Sequence, residues 1–204
     1  NKVMSLKTRF GNLGNILDFD NLTEENIYVL DSPILTNSQF KKFKKFFSKK
    51  IKVIDCTFDI HESLKERIES IRDEAETAVR EGTTCIVLSD KNFSNQKAGI
   101  PSILTVGAVH SHLVKNGLRG YCSLNVECSD TMDTHSFAIL IGVGATTVNP
   151  YLAIDSIYQR FEKKLFGKSD FETCVSKFKK SIDAGLLKIM SKMGISVISS
   201  YRGG

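Results

Sequence analysis

The densest run of chemically capable side chains is Glu127-Cys128-Ser129-Asp130-Thr131-Met132-Asp133-Thr134-His135. Carboxylates and an imidazole in this pattern suit general acid/base work or a divalent cation. The run also follows a strand-like apolar stretch, which is where open α/β sheets and barrels place ligands. A solvated turn in which Asp133 or Thr134 caps the next helix accounts for the same residues with fewer assumptions. His110-Ser111-His112 invites a metal reading, but its surroundings have helical period, and residues two apart on a helix diverge by roughly 200° and cannot converge on one ion. His110 is therefore expected as a hydrogen-bonded core histidine, with His112 facing the other way. Gly142-Val143-Gly144-Ala145 is half of a dinucleotide fingerprint, yet it follows a helical segment where the phosphate loop must follow a strand, so it reads as a glycine helix stop. Cys122 and Cys174 have no neighbouring base in sequence that would make either a nucleophile.

These residues sit in a chain of 204 residues with 41% hydrophobic and 25% charged positions, the composition of a globular domain. A domain of this size buries enough surface to need no disulfide or metal staple. No apolar run approaches the ~18 residues of a membrane span, and no signal peptide is visible. Asn at position 1 suggests a cut from a longer polypeptide. The net charge is +5, and Lys41, Lys42, Lys44, Lys45, Lys49 and Lys50 exceed it by themselves, so the remainder carries −1 and a fold-wide basic surface for nucleic acid is not expected. The five cysteines, Cys56, Cys85, Cys122, Cys128 and Cys174, contain no C-x-x-C pair and mostly lie in apolar runs, which reads as reduced, buried thiols.

The positioning elements alternate between short β-branched runs and longer segments of helical period, the pattern of an α/β protein with a mostly parallel sheet and flanking helices, open or forming part of a barrel. Residues 1–35, with Gly11, Asn12, Gly14, Asn15 and Asn21, read as an irregular lead-in lying over a surface, and 36–204 as the α/β domain. Thr36 and Gln39 form a capping box before a helix over 37–48, where Phe40, Phe43, Phe46 and Phe47 make a core face and the lysines a solvated one. Strands are expected at 51–57, 83–89, 121–127, 145–148 and 195–199. Helices are expected from Ser63 with Glu66 to Gly82, from Pro101 to about Lys115 with Ile103, Gly107, His110 and Val114 inward, and across Phe137 to Ile141. Two more are expected from Asn149-Pro150 to about Phe166, and after Ser169 with Glu172, with Gly185 a possible break.

The same chain also resembles a known family along nearly its whole length. The blocks are Met4 to Gly11, Asp31-Ser32-Pro33, Asp55-Cys56-Thr57-Phe58, Leu88-Ser89-Asp90, Ile100-Pro101, Ala108 to Leu113, His135-Ser136-Phe137-Ala138, Gly142 to Ala145, Val148 to Ala153, Lys188 to Ser196 and Ser200 to Gly203. In this order they resemble the central domain of the glutamate synthase large chain, most closely the bacterial NADPH-dependent type.

The resemblance implies a cytoplasmic protein in which this domain joins a glutaminase domain to a barrel carrying FMN and an iron-sulfur cluster, with NADPH and FAD on a small partner subunit. Glutamine is hydrolysed at the first site, and ammonia passes to the barrel, where it adds to 2-oxoglutarate and the imine is reduced to glutamate. The family's N-terminal nucleophilic cysteine and its closely spaced cluster cysteines have no counterpart here. The fragment is therefore expected to hold no catalytic, cofactor or metal residue and to border the ammonia path, with no nucleic-acid or membrane partner. Asp90, Glu127, Asn149 and Arg202, which follow or end expected strands, are the candidate path or interdomain residues. Two other readings are a stand-alone α/β enzyme using Glu127, Asp130 and His135, and a nucleic-acid module using the Lys41 to Lys50 helix.

Overall fold

The computed structural model of the chain describes residues 3–10 and 27–203; Gly11, Asn12, Gly14, Asn15 and Asn21, expected to punctuate the lead-in, lie outside the described residues. In chain order the elements are β1 (Thr8–Phe10), β2 (Tyr28–Leu30), α1 (Asn37–Phe46), β3 (Ile51–Asp55), β4 (Thr57–Asp59), α2 (Leu64–Arg80), β5 (Cys85–Ser89) and β6 (Lys97–Gly99). They continue with α3 (Ser102–Lys115), β7 (Ser123–Glu127), α4 (Thr134–Gly142), β8 (Thr147–Asn149), α5 (Tyr151–Glu162) and α6 (Phe171–Lys192). Among the described residues the main sheet has four strands in the order β3-β5-β7-β8, all parallel. Sequential order with parallel pairing is the winding of a β/α barrel, here an open sector of one.

Every residue of β5 and β7 is buried, so both faces of the sheet must be covered. One face carries Ile54, Ile86, Leu88, Leu124, Val126 and Val148 and packs on Ile71 and Ala75 of α2, Val106, Val109 and Leu113 of α3, and Phe137 and Ile141 of α4. The opposite face, through Cys85 and Val87, is closed by Leu35 and by Phe40, Phe43 and Phe47. The capping box forms as expected, with the Thr36 hydroxyl accepting from the Gln39 amide at 3.2 Å and the Gln39 side chain accepting from the Thr36 amide at 3.0 Å. One face of α1 is apolar through Phe40 and Phe43, with Phe47 just beyond, and Lys41, Lys42 and Lys45 are solvated as the spacing predicts. Phe46, expected on the core face, is instead 48% exposed and packs against Phe47 and Tyr28. Each fully buried phenylalanine contributes on the order of 2 kcal/mol.

Several expected elements differ. The run 195–199 is not a strand of the sheet: Val197 makes one isolated parallel bridge to Ser5, and Ile198–Ser200 is a 3-10 turn. The free edge of β8 is instead taken by residues 33–35, the Val148 amide donating to Pro33 O and the Leu35 amide to Val148 O, both at 2.9 Å. Residues 97–99, outside the expected strands, pair antiparallel with β4. Pro101 and Pro150 stand one residue before their helices, and Asp170 rather than Ser169 caps α6, its Oδ1 accepting from the Thr173 amide at 2.7 Å. The inward stripe of α3 is Thr105, Val106, Val109 and Leu113, while Ile103 and Val114 are exposed, because α3 packs on β7 and α2 through a face rotated from the expected one.

Gly185 does not break α6, which is continuous; a Cβ there would overlap the Thr134 side chain, so its role is the close crossing of α6 on α4. Gly144 ends the turn after α4 at φ +123°, and a Cβ there would overlap the His110 ring. Gly144→Ala is therefore predicted to cost upward of about 2 kcal/mol in chemical unfolding. Gly107→Ala, inside α3 with nothing within 4 Å of the added Cβ, is predicted to gain about 0.5–1 kcal/mol from helix propensity. Equal effects of the two would contradict this packing.

Candidate functional site

The parallel register places Asp55, Ser89, Glu127 and Asn149 side by side in one row at the C-terminal edge of the sheet. Strand alternation then points them all to the face that α1 covers. Ser89, Glu127 and Asn149 are buried. Buried polar groups persist only with partners, and each has its own. The Ser89 hydroxyl donates to Glu127 Oε2 at 2.8 Å, while Glu127 Oε1 faces the ammonium groups of Lys44 at 3.7 Å and Lys91 at 3.6 Å. Asn149 Nδ2 donates to Leu35 O and to Asn37 Oδ1, both at 3.0 Å, tying β8 to the start of α1. It ends the strand instead of capping α5. Burial opposes ionisation of Asp55, but hydrogen bonds from Thr57 and Asn92 and the nearby Lys97 hold its carboxyl below the usual range.

One residue beyond this row, Asp90 Oδ2 accepts from the Ser129 amide at 2.8 Å and the Ser129 hydroxyl at 2.6 Å. Its Oδ1 is buried without a hydrogen-bond partner, and so is the hydroxyl of Tyr151. Burial and then the Asp90 carboxylate push that hydroxyl above its ordinary range. Lys91 Nζ sits 5.3 Å over the Tyr151 ring. A cleft of about 500 Å³ opens beside these groups, bordered by Asp90, Gly99, Pro101, Ser129, Asp130 and Leu152.

Asp90, Glu127 and Asn149 thus lie at one edge, but Arg202 does not. It stands at the N-terminal edge, against Thr84, Ser123 and Thr146, because 195–199 turns back on Ser5 instead of extending the sheet. The Glu127, Asp130 and His135 group does not assemble either. Asp130 accepts from the amide and hydroxyl of Ser102 at 2.9 and 2.6 Å and so caps α3, whereas His135 is exposed on α4. Asp133 is the N-cap of α4, accepting from the Ser136 amide at 2.8 Å.

His110 and His112 have separate partners: Arg119 Nε donates to His110 Nδ1 at 3.0 Å, and His112 bonds Glu76 at 2.6 Å and Arg72 at 3.0 Å. Among the described residues, no three His, Cys, Asp or Glu side chains are placed to share a metal ion. Cys56, Cys85, Cys122 and Cys128 are buried and free, and burial raises the thiols of Cys56, Cys85 and Cys128 to about 12. Gly142 to Gly144 closes a helix and the space at Gly144 is filled by His110, so these residues do not fit a flavin or dinucleotide phosphate. Ser89, Ser129, Tyr151, Lys44 and Lys91 were not evident from sequence motifs. The signal was the register, which puts Ser89 beside Glu127.

The fold and this edge define a sector of a parallel β/α barrel with a buried polar layer at its strand C-termini. Among solved structures a flavocytochrome b2 variant with benzoylformate matches 81% of this chain and 36% of that chain, at TM-score 0.53 and 14% identity. The flavin-binding domain of baker's yeast flavocytochrome b2 matches 82% and 37%, at TM-score 0.50 and 17% identity. These likenesses show the fold alone.

The family model for the glutamate synthase central domain matches residues 1–204, and the chain belongs to that family. The glutamate synthase [NADPH] large chain of Azospirillum brasilense is 51% identical over 100% of this chain, and that of Bacillus subtilis is 38% identical over 98%. The ferredoxin-dependent glutamate synthase of Pyropia yezoensis is 37% identical over 98%. The chain spans about 14% of the length of these relatives.

The two kinds of contact made by Glu127 differ in expected weight. Ser89→Ala leaves a buried carboxylate oxygen without its donor and is predicted to cost about 1–3 kcal/mol. Lys91→Ala, whose side chain is 59% exposed, is predicted to cost under about 1 kcal/mol. Denaturant titration of both variants checks the order, and the reverse order would contradict it.

Proposed function

We propose that this chain is the spacing and coupling domain of an NADPH-type glutamate synthase large chain, and that the C-terminal edge of its sheet borders the ammonia path. The observation that carries the reading is the row of Ser89, Glu127 and Asn149 with Asp90 beside it, buried polar groups at the strand ends of a barrel-like sheet. A wall along such a path has to hold its shape, and this one is fixed by the Ser89, Lys44, Lys91, Leu35 and Asn37 contacts. The strong likeness to NADPH large chains supports the family's division of labour. FMN and an iron-sulfur cluster belong to a neighbouring domain of the same chain and glutaminase chemistry to another. NADPH oxidation and FAD belong to a small partner subunit, and the assembly is cytoplasmic. Within the fragment, 1–35 is the lead-in and 36–204 the α/β domain. Among the described residues no helix is long and apolar enough to cross a membrane.

In this reading glutamine hydrolysis releases ammonia, which adds to 2-oxoglutarate; reduction of the imine yields the second glutamate. The residues named here touch neither reaction and act as positioning residues. Asp90→Ala, Glu127→Ala and Asn149→Ala in the full-length enzyme should retain flavin while lowering glutamine-dependent synthesis more than ammonia-dependent synthesis. The ratio of glutamine hydrolysed to 2-oxoglutarate consumed should rise above wild type. His135→Ala, at an exposed site, should leave the ratio unchanged. A wild-type ratio in all three edge variants would exclude this edge from the path.

A further inference from the structure

The opposite, N-terminal edge of the sheet carries a cationic pocket that the coupling role does not use. Arg119 follows α3 in a 3-10 turn and Arg202 follows the 3-10 turn at Ile198–Ser200, and both guanidinium groups reach the Thr146 hydroxyl at 3.4 Å. That oxygen also accepts from the Leu124 amide at 3.0 Å, so three donors already converge on one hydroxyl. Arg119 spends its other donors within the fold, on His110 Nδ1 at 3.0 Å, Cys122 O at 2.7 Å and Gly144 O at 2.8 Å. Among the described residues Arg202 makes no other hydrogen bond, and the side chain of Arg9, which lines the same pocket, makes none. Among the described residues no carboxylate lies within 4 Å of any of the three guanidinium groups.

An arrangement of this kind is expensive as it stands. Partial burial strips water from Arg202, the neighbouring Arg119 repels it, and both effects pull its ionisation below the ordinary arginine range. His110 adds no positive charge of its own. Its Nδ1 accepts from Arg119 Nε, so the ring is neutral there, and burial and the two arginines lower its affinity for a proton. The pocket encloses about 160 Å³ and is lined by Thr84, Ser123 and Thr146 besides Arg9 and Arg202, with Arg119 bonded to Thr146 next to it. It is small, polar and rich in donors without matching acceptors.

We propose that the pocket lined by Arg9 and Arg202, with Arg119 beside it on Thr146, binds an oxyanion of the carboxylate or phosphate class. The planar forks of Arg9 and Arg202 supply charge-assisted donors in the geometry such groups accept, and Arg119, fixed beside the pocket by its own bonds, adds charge. The volume admits a single phosphate or a short carboxylic acid and excludes a nucleotide. The anion comes either free from solution or as an acidic side chain from another segment of the longer polypeptide, and the experiment separates these sources.

Crystals of the full-length enzyme are soaked in selenate, and anomalous maps are compared for wild type, the Arg9→Gln/Arg202→Gln double variant and Arg202→Lys. Arg119 is left intact because its bonds to Cys122 O and Gly144 O hold the fold. A selenate peak within hydrogen-bonding distance of Arg9 and Arg202 establishes a free anion. Its occupancy should need at least about tenfold more selenate in the double variant, and an intermediate amount in Arg202→Lys, which keeps the charge but loses the fork. A protein carboxylate seated on the same two guanidinium groups establishes the tethered source. Water alone at both arginines, or a peak equally strong in the double variant and so an adventitious ion only, overturns the proposal.

Discussion

The structure depends on one constraint: β5 and β7 are buried on both faces, so every polar group they carry must be satisfied from within the protein. Asn125 shows how this is met at the centre. Its amide donates to Ile86 O and Ser123 Oγ at 3.0 Å each and its carbonyl accepts from the Thr147 hydroxyl at 2.7 Å, with the residue fully buried. Those bonds link β5, β7 and β8 in one register. A slip of one residue would move Asn125 to the apolar face and Leu124 or Val126 into the polar layer. The same register sets the row of Ser89, Glu127 and Asn149 above it, so the candidate site follows from how the sheet is held together.

The two faces of the sheet divide the work. The outer face is an ordinary aliphatic core under α2, α3 and α4. The inner face would line the lumen of a closed barrel, but here α1 seals it with Phe40, Phe43 and Phe47 against Cys85 and Val87. The lysines of that helix serve at its solvated side, and Lys44 alone reaches inward to Glu127. This accounts for a lysine block on a chain whose remaining surface is close to neutral. The polar edge and the arginine pocket lie at opposite ends of the same strands, so perturbation of one need not reach the other.

Much of this was legible in the residues, and the exceptions have physical causes. Continuous apolar runs such as Cys85 to Leu88 identified the central strands, and Thr36 with Gln39 identified the start of α1, because those signals are local. Ile195 to Ser199 looked like a strand, but Gly194 lets the chain turn so that the Ile195 amide reaches Met190 O at 2.9 Å, and residues 33–35 occupy the sheet edge it would have joined. Arg202 lies at the opposite edge for the same reason. Asp90, Glu127 and Asn149 were identifiable as strand-end residues, whereas Ser89, Ser129 and Tyr151 became visible only through register and crossovers, which are non-local. The resemblance to the family supplied a role that no spacing of side chains could supply.

The central claim is that the C-terminal edge of the sheet faces a path rather than a packed interface. It is tested most directly by a high-resolution structure of the full-length enzyme, read at the two buried polar atoms that lack partners, Asp90 Oδ1 and the Tyr151 hydroxyl. The account predicts an ordered water bonded to both, in a solvent column continuous with the space between neighbouring domains. Apolar side chains of a neighbouring domain sealing that edge, with the column running elsewhere, would contradict it.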